Sequence, residues 1–508
     1  MKKSMVAGFI SVGLWTFLSR ITGFVRDILM AAWLGTGPVA EAFLVALSLP
    51  NMFRRFFAEG AFNTAFVPMF SKKLEGGDDP QGFARDAFAG LSFVLLVFTA
   101  LGMILMPVLV WLMAAGFVGD ERFDLAVEYG RITFPYILLI SLASMIGGVL
   151  NANHRFTAAA AAPVLLNLLF IIAMYLGRWF GWDLGLTLAW ATPVTGIAQL
   201  GLVWWDAHRT GWSFRPHRPR LTPDLRRLLA IALPAMFAGG VVQINLLVGR
   251  QVGSFFDGAI AWLSYSDRLY QLPLGVVGAA VAVVLLPELS RRLRAEDHAG
   301  GQAAFSRALE FGLFLTLPAA FAISVIAVPM VSTLFERGEF TAFDTRQTAN
   351  ALIVYALGLP AFVLQKILQP LYFAREDTKT PFRFALISMV VNAVVAFGLM
   401  GVLGFLAAAI GTSVAAWVMV GQLWWGTRHM GQSVQADARV RRTAPRIVLS
   451  SALMAVALWG INLWSDRIGM HRLPELALLV FGGAAIYFAL SFATGAITLA
   501  DLKRNVKR

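Results

Sequence analysis

The chain contains no cysteine, which excludes disulfides and thiolate metal sites. Charge is scarce too. Asp, Glu, Lys and Arg make up 14% of the 508 residues, where a soluble domain carries about 25%. A soluble chain of this length needs a charged coat, and the residues for one are missing. No GxxxxGK followed by Ser or Thr occurs, which excludes a P-loop ATPase. Neither GxSxG nor a paired-carboxylate site is present, so hydrolase and glycosidase chemistry have no foothold. The histidines (His154, His208, His217, His298, His429, His471) fall in polar gaps without HExxH spacing, so neither a metal nor a cofactor is expected. Asp377-Thr378-Lys379-Thr380 faintly resembles an acyl-phosphate site, but it occupies a short gap with no nucleotide domain and reads as chance or a helix cap.

What is present is apolar. Hydrophobic residues make up 58% of the chain and the mean hydropathy is +0.70. A bilayer removes the need for a charged coat, because helices satisfy their own backbone groups within it. The expectation is an all-α integral membrane protein of about fourteen spans. They run roughly over 5–34, 39–70, 86–116, 126–150, 158–177, 184–206, 228–252, 258–287, 308–335, 347–373, 382–401, 404–427, 446–464 and 475–499. The N-terminal Met1-Lys2-Lys3 and the apolar run after it read as the first span. A cleaved leader fits poorly, because Arg20, Arg26 and Asp27 interrupt that run.

The formal net charge of +13 would suggest nucleic-acid binding in a soluble protein. Here the basic residues sit in short gaps between apolar runs, which makes them topology signals. With the N-terminus in the cytoplasm, inside gaps hold about 28 Lys and Arg and outside gaps about 7. Both termini are therefore expected in the cytoplasm of an inner-membrane protein. The basic gap Asp206–Arg227 separates the first six spans from the rest, either as a linker on anionic headgroups or as an ordinary positive-inside loop. The expected division is 1–207, a linker 208–227, 228–430, and a terminal helix pair with its tail over 431–508. Leu49-Pro50 with Pro68-Met69-Phe70-Ser71-Lys72-Lys73-Leu74 is echoed six spans later. The echo is Leu272-Pro273 with Pro287-Glu288-Leu289-Ser290-Arg291-Arg292-Leu293. That offset gives two repeats of like orientation.

Charge inside spans marks the candidate site. A charge at bilayer centre costs at least ~2.5–3.5 kcal/mol, so it is kept only against a cavity or a partner. Span 1 carries Ser19, Arg20, Arg26 and Asp27; span 2 carries Glu41, Asn51, Arg54, Arg55 and Glu59; span 8 carries Asp267 and Arg268. Arg20 and Asp27 are seven apart and share a helix face, and Arg55 and Glu59 are four apart and can pair. Pro50, inside the helix, is expected to break the hydrogen-bond ladder between Glu41 and Arg54, so helical phase is not carried across it. One reading makes these charges structural ion pairs. The other gives Arg20, Arg26, Arg54 and Arg268 to an anion, since guanidinium forks suit phosphate and carboxylate. With no ATPase in the chain, movement of that anion would draw on an ion gradient, the membrane potential or the substrate gradient.

Several stretches together resemble the MurJ (MviN) family of lipid II flippases, within the multidrug/oligosaccharidyl-lipid/polysaccharide exporter superfamily. They are SRITGFVRD (19–27), LPNMFRRFFAEGAFNTAFVP (49–68), ITFPYILLISLASMIGGVLN (132–151), YSDRL (265–269), LPLGVVGAAVAVVLLPELS (272–290) and GEFTAFDT (338–345). The resemblance implies two six-helix lobes in a V around a cationic cavity, with the last two helices beside the lipid tail. It implies lipid II, undecaprenyl-pyrophosphate-linked disaccharide-pentapeptide, as substrate. Pyrophosphate would rest on Arg20, Arg26, Arg54 and Arg268, with Glu41 competing for them. Glu41 stands where the family often has Asp; Ser48 and Gln271 stand where a lysine and an acid sometimes occur. A sodium site is not expected, since Asn245 and Asn392 have no buried acid beside them. Membrane lipids and cell-wall synthesis proteins are the expected company of a monomer. Other readings are a different polysaccharide-lipid flippase, a drug or cation antiporter, a non-transporting scaffold, and a membrane-embedded transferase. A buried carboxylate excess would mark the antiporter and an interfacial carboxylate or metal site the transferase; neither is seen.

Overall fold

The computed structural model describes residues 2–55, 63–214, 217–295, 297–431 and 434–497, and among them it is helical throughout with no strand. The helices are α1 (Lys2–Leu34), α2 (Pro38–Arg54), α3 (Asn63–Gly76), α4 (Pro80–Ile104), α5 (Met106–Met113), α6 (Glu121–Thr133), α7 (Tyr136–Ala152), α8 (Thr157–Phe180) and α9 (Leu184–Arg209). They continue as α10 (Pro223–Ser254), α11 (Ala259–Arg294), α12 (His298–Phe335), α13 (Ala342–Phe373), α14 (Lys379–Leu403), α15 (Leu406–Gly426), α16 (Ala438–Arg467), α17 (Arg472–Ala477) and α18 (Gly483–Ala493). Among the described residues, ten helical stretches are long and apolar enough to cross a membrane. Each overlaps an expected span, although the one expected over 86–116 ends at Ile104, and a separate helix, α5, follows it. The other expected spans fall on α1, on α2 with α3, on α10 and on α11.

Two compact units result. Unit 1 comprises Met1–Ala261 with Arg337–Phe340, and unit 2 comprises Trp262–Glu336 with Thr341–Arg508. The boundary falls inside α11, and α10 belongs with unit 1. In unit 1, α1 packs on α8, α2 on α6, and α8 on α9. Phe43, Phe66, Phe70, Phe134 and Phe170 are buried in its core. In unit 2, α12 packs on α13 and α16, and α15 on α13 and α14. The surface inverts that of a soluble protein: Trp179 is 85% exposed and Phe481 75%. Such side chains suit hydrocarbon.

Pro50 lies inside its helix and interrupts only the hydrogen-bond ladder. α2 runs through it to Arg54. The reason is local. A helical proline frees the carbonyl four residues earlier, here that of Ala46. The Thr133 hydroxyl on α6 donates to the Ala46 carbonyl at 3.2 Å, shared with Gly130 of its own helix. Unit 2 repeats the device. Pro318 frees the carbonyl of Phe314, and the Tyr487 hydroxyl on α18 donates to it at 2.8 Å. Neighbouring helices thus satisfy the groups that proline exposes.

Candidate functional site

Arg26 is the best-defined cation of the expected set. It lies three-quarters of the way along α1 and is 8% exposed. Its Nε and Nη2 donate to Asp27 Oδ1 at 3.1 and 2.7 Å. Its Nη1 donates to Asn167 Oδ1 on α8 at 3.0 Å. The Phe170 ring lies 5.9 Å away, one turn further along α8. Asn167 in turn donates to the Ser19 carbonyl at 2.9 Å and to the Thr22 hydroxyl at 3.3 Å. Gly23 eases this approach, since a Cβ there would stand 3.2 Å from Asn167 Nδ2 and the amide would have to give by a few tenths of an ångström. A single asparagine thus fixes the helix pair and the guanidinium together. It leaves Arg26 with N–H groups to spare, because a guanidinium carries five.

The other members are placed as follows. Arg20 is exposed on α1, with no hydrogen bond or ion pair among the described residues. It shares a helix face with Asp27, yet Asp27 is buried. Ser19 and Arg54 are half-buried, and Arg55 is exposed. The Asn51 amide donates to the Leu47 carbonyl of its own helix at 2.8 Å. Glu59 lies outside the described residues, and the expected Arg55–Glu59 pair with it. In unit 2, Arg268 is on the exposed face of α11, and Asp267 accepts a hydrogen bond from Gln271. Of the expected residues, the structure joins Arg26 to Asp27.

Glu41 sits with a different arginine. It is 1% exposed, and its Oε2 accepts from Arg122 Nη1 at 3.0 Å. Its Oε1 accepts from the Ile260 N–H at 2.9 Å. Arg122, itself 5% exposed, also meets Asp120 at 2.6 Å and Asp257 at 2.9 Å. It stacks over Phe117 at 4.6 Å. Burial would raise the Asp120 carboxyl, but hydrogen bonds from the Arg122 backbone and side chain outweigh it and hold the group below its ordinary value. Neither Asn167 nor Arg122 was singled out by sequence. Their only signals are an asparagine inside an apolar span and an arginine at a helix start.

The family model described as "Lipid II flippase MurJ" matches residues 30–478. The chain belongs to the MurJ family. Relatives of the family in Rhizobium tropici and Rhizobium meliloti (strain 1021), each named probable lipid II flippase MurJ, are 43% and 44% identical. The alignments cover 99% of this chain and 97% of each relative. Burkholderia cenocepacia has a MurJ named a lipid II flippase, 32% identical over 97% of this chain and 98% of its own length. A solved MurJ structure described as inward closed superposes with a TM-score of 0.80. It is 26% identical and covers 98% of this chain and 100% of that one. The likeness extends to an inward-facing multidrug transporter of the MATE family, with a TM-score of 0.69. At 15% identity, over 82% of this chain and 96% of the other, that match speaks for the fold alone.

Proposed function

We propose that the chain carries lipid II from the cytoplasmic to the periplasmic leaflet of the inner membrane by alternating access, holding the pyrophosphate on Arg20, Arg26, Arg54 and Arg268. The observation that carries this reading is similarity to lipid II flippases along nearly the whole chain. The chain is a transporter rather than an enzyme. A headgroup bearing pyrophosphate and peptide carboxylates is too polar to cross hydrocarbon unaided. Guanidinium forks offer it charge-assisted hydrogen bonds.

Arg26 supplies a specific means of exchange. In the state described here Asp27 occupies two of its N–H groups. An arriving phosphate would displace that carboxylate or take the free donors, and Asp27 would reclaim the guanidinium on release. Asp27 then does what the family resemblance gave to Glu41. The reading also places both termini in the cytoplasm and lets a monomer suffice, with cell-wall synthesis proteins as neighbours.

Complementation tests it. A flippase-depleted cell is supplied with Arg20→Ala, Arg26→Ala or Arg268→Ala, each checked for membrane expression. Loss of rescue is expected. Full rescue by all three would remove the arginines from the mechanism.

A further inference from the structure

α2, α6 and α11 begin at one place in unit 1. α2 starts at Pro38, α6 at Glu121 and α11 at Ala259. Helix N-termini are electropositive, and Arg122 adds a full charge among them. Three carboxylates answer it: Glu41 from α2, Asp120 from the cap of α6, and Asp257 just ahead of α11. Glu41 ties in α11 as well, through the Ile260 N–H. Both of its oxygens are therefore engaged at this junction.

The distance to Arg54 is long. Arg54 lies thirteen residues beyond Glu41 in the same helix, which at 1.5 Å per residue is about 20 Å. The carboxylate bonded to Arg26 is Asp27. A role for Glu41 among the headgroup-binding arginines would require it to leave a buried partner. Buried ion pairs seldom add net stability over apolar packing, yet removing one partner strands the other. What such a pair provides is a fixed arrangement, and this one fixes the common origin of α2, which bears Arg54, and α11, which bears Arg268.

We propose that Glu41 serves transport through Arg122, as a positioning pair that clamps the shared start of α2, α6 and α11, and takes no part in holding the headgroup. The proposal rests on the flippase reading above. Binding and translocation should then separate. Variants of the pair keep the arginines and so keep affinity, but lose the fixed end against which the helices move.

Purified full-length protein in proteoliposomes tests this, with lipid II binding and translocation measured side by side. The variants are Glu41→Gln, Arg122→Gln, the double substitution and Arg268→Ala. Each single change at the pair is expected to slow translocation about tenfold or more while Kd stays within about twofold. The double change should be no worse than either single one, because the two residues act as a unit. A Kd shifted more than about fivefold by Glu41→Gln would put Glu41 on the headgroup and overturn the proposal. So would multiplying effects in the double variant, or unimpaired translocation by Arg122→Gln. Should Arg122→Gln fail to fold, Arg122→Lys keeps the charge without the fork. Intermediate translocation with normal binding supports the clamp; normal translocation or weakened binding overturns it. Failure of the flippase reading looks different: wild-type protein would not translocate lipid II, or Arg268→Ala would bind as wild type.

Discussion

Arg26 is held by one carboxylate and one carboxamide, and the two should behave differently when removed. Asp27→Asn takes away the internal anion. Headgroup affinity should rise and release should slow, so equilibrium binding of lipid II tightens while turnover falls. Asn167→Ala leaves a buried N–H of Arg26 without its acceptor, at a cost of about 1–3 kcal/mol. A lower melting temperature and weaker rescue of a depleted cell are expected together. Arg26 could be found from sequence because a charge in an apolar run needs a reason. Asn167 could not, because its meaning comes from α1, 141 residues away along the chain. Arg122 was hidden likewise, 81 residues from Glu41. Glu41 was correctly seen as buried charge, but nothing local to it says which arginine it meets.

At the scale of elements, spans were legible and the partners that mend their breaks were not. Apolar length located α8, α9, α14 and α15 to within a few residues. Pro50 is legible as a gap in the hydrogen-bond ladder, but the group that fills the gap is not, because the donor lies on α6. Thr133→Val tests this. It removes the donor to Ala46 in a wholly buried position and should destabilise by about 1–3 kcal/mol, read as a lowered melting temperature. Helix starts give a pH prediction. Asp297 caps α12 by accepting from the Gly300 N–H at 2.8 Å and also meets Arg292. The Gly300 hydrogen bond, with Arg292 assisting, lowers its carboxyl below the ordinary 3.8. A lowered folded value means the contribution is whole above 3.8 and fades as pH falls through the folded value. Asp297→Ala should therefore lower the melting temperature at neutral pH, and the gap from wild type should shrink in strong acid. The Asp377 run resolves as a cap too, its carboxylate accepting from the Thr380 N–H at 3.0 Å.

For the whole molecule, the even spacing of apolar runs and the bias of basic residues are enough to call a multi-pass membrane protein. The division inside α11 was beyond them, since no change of composition marks it. Sidedness is open to direct measurement, because a chain without cysteine accepts single probes cleanly. Cysteines at Lys72 and Arg218 should react with an impermeant thiol reagent only from the cytoplasmic side, and cysteines at Gly37 and Val118 only from the periplasmic side. The reverse pattern would invert the topology and with it the direction of transport. The rescued prolines carry a consequence for relatives of this chain. Where position 50 is not proline, Ala46 keeps its own helical donor and a hydroxyl at 133 has no vacant acceptor to serve. The two positions should therefore drift or persist together across descendants, as should Pro318 and Tyr487. A residue usually met as a breaker acts in both units as a rivet between neighbouring helices.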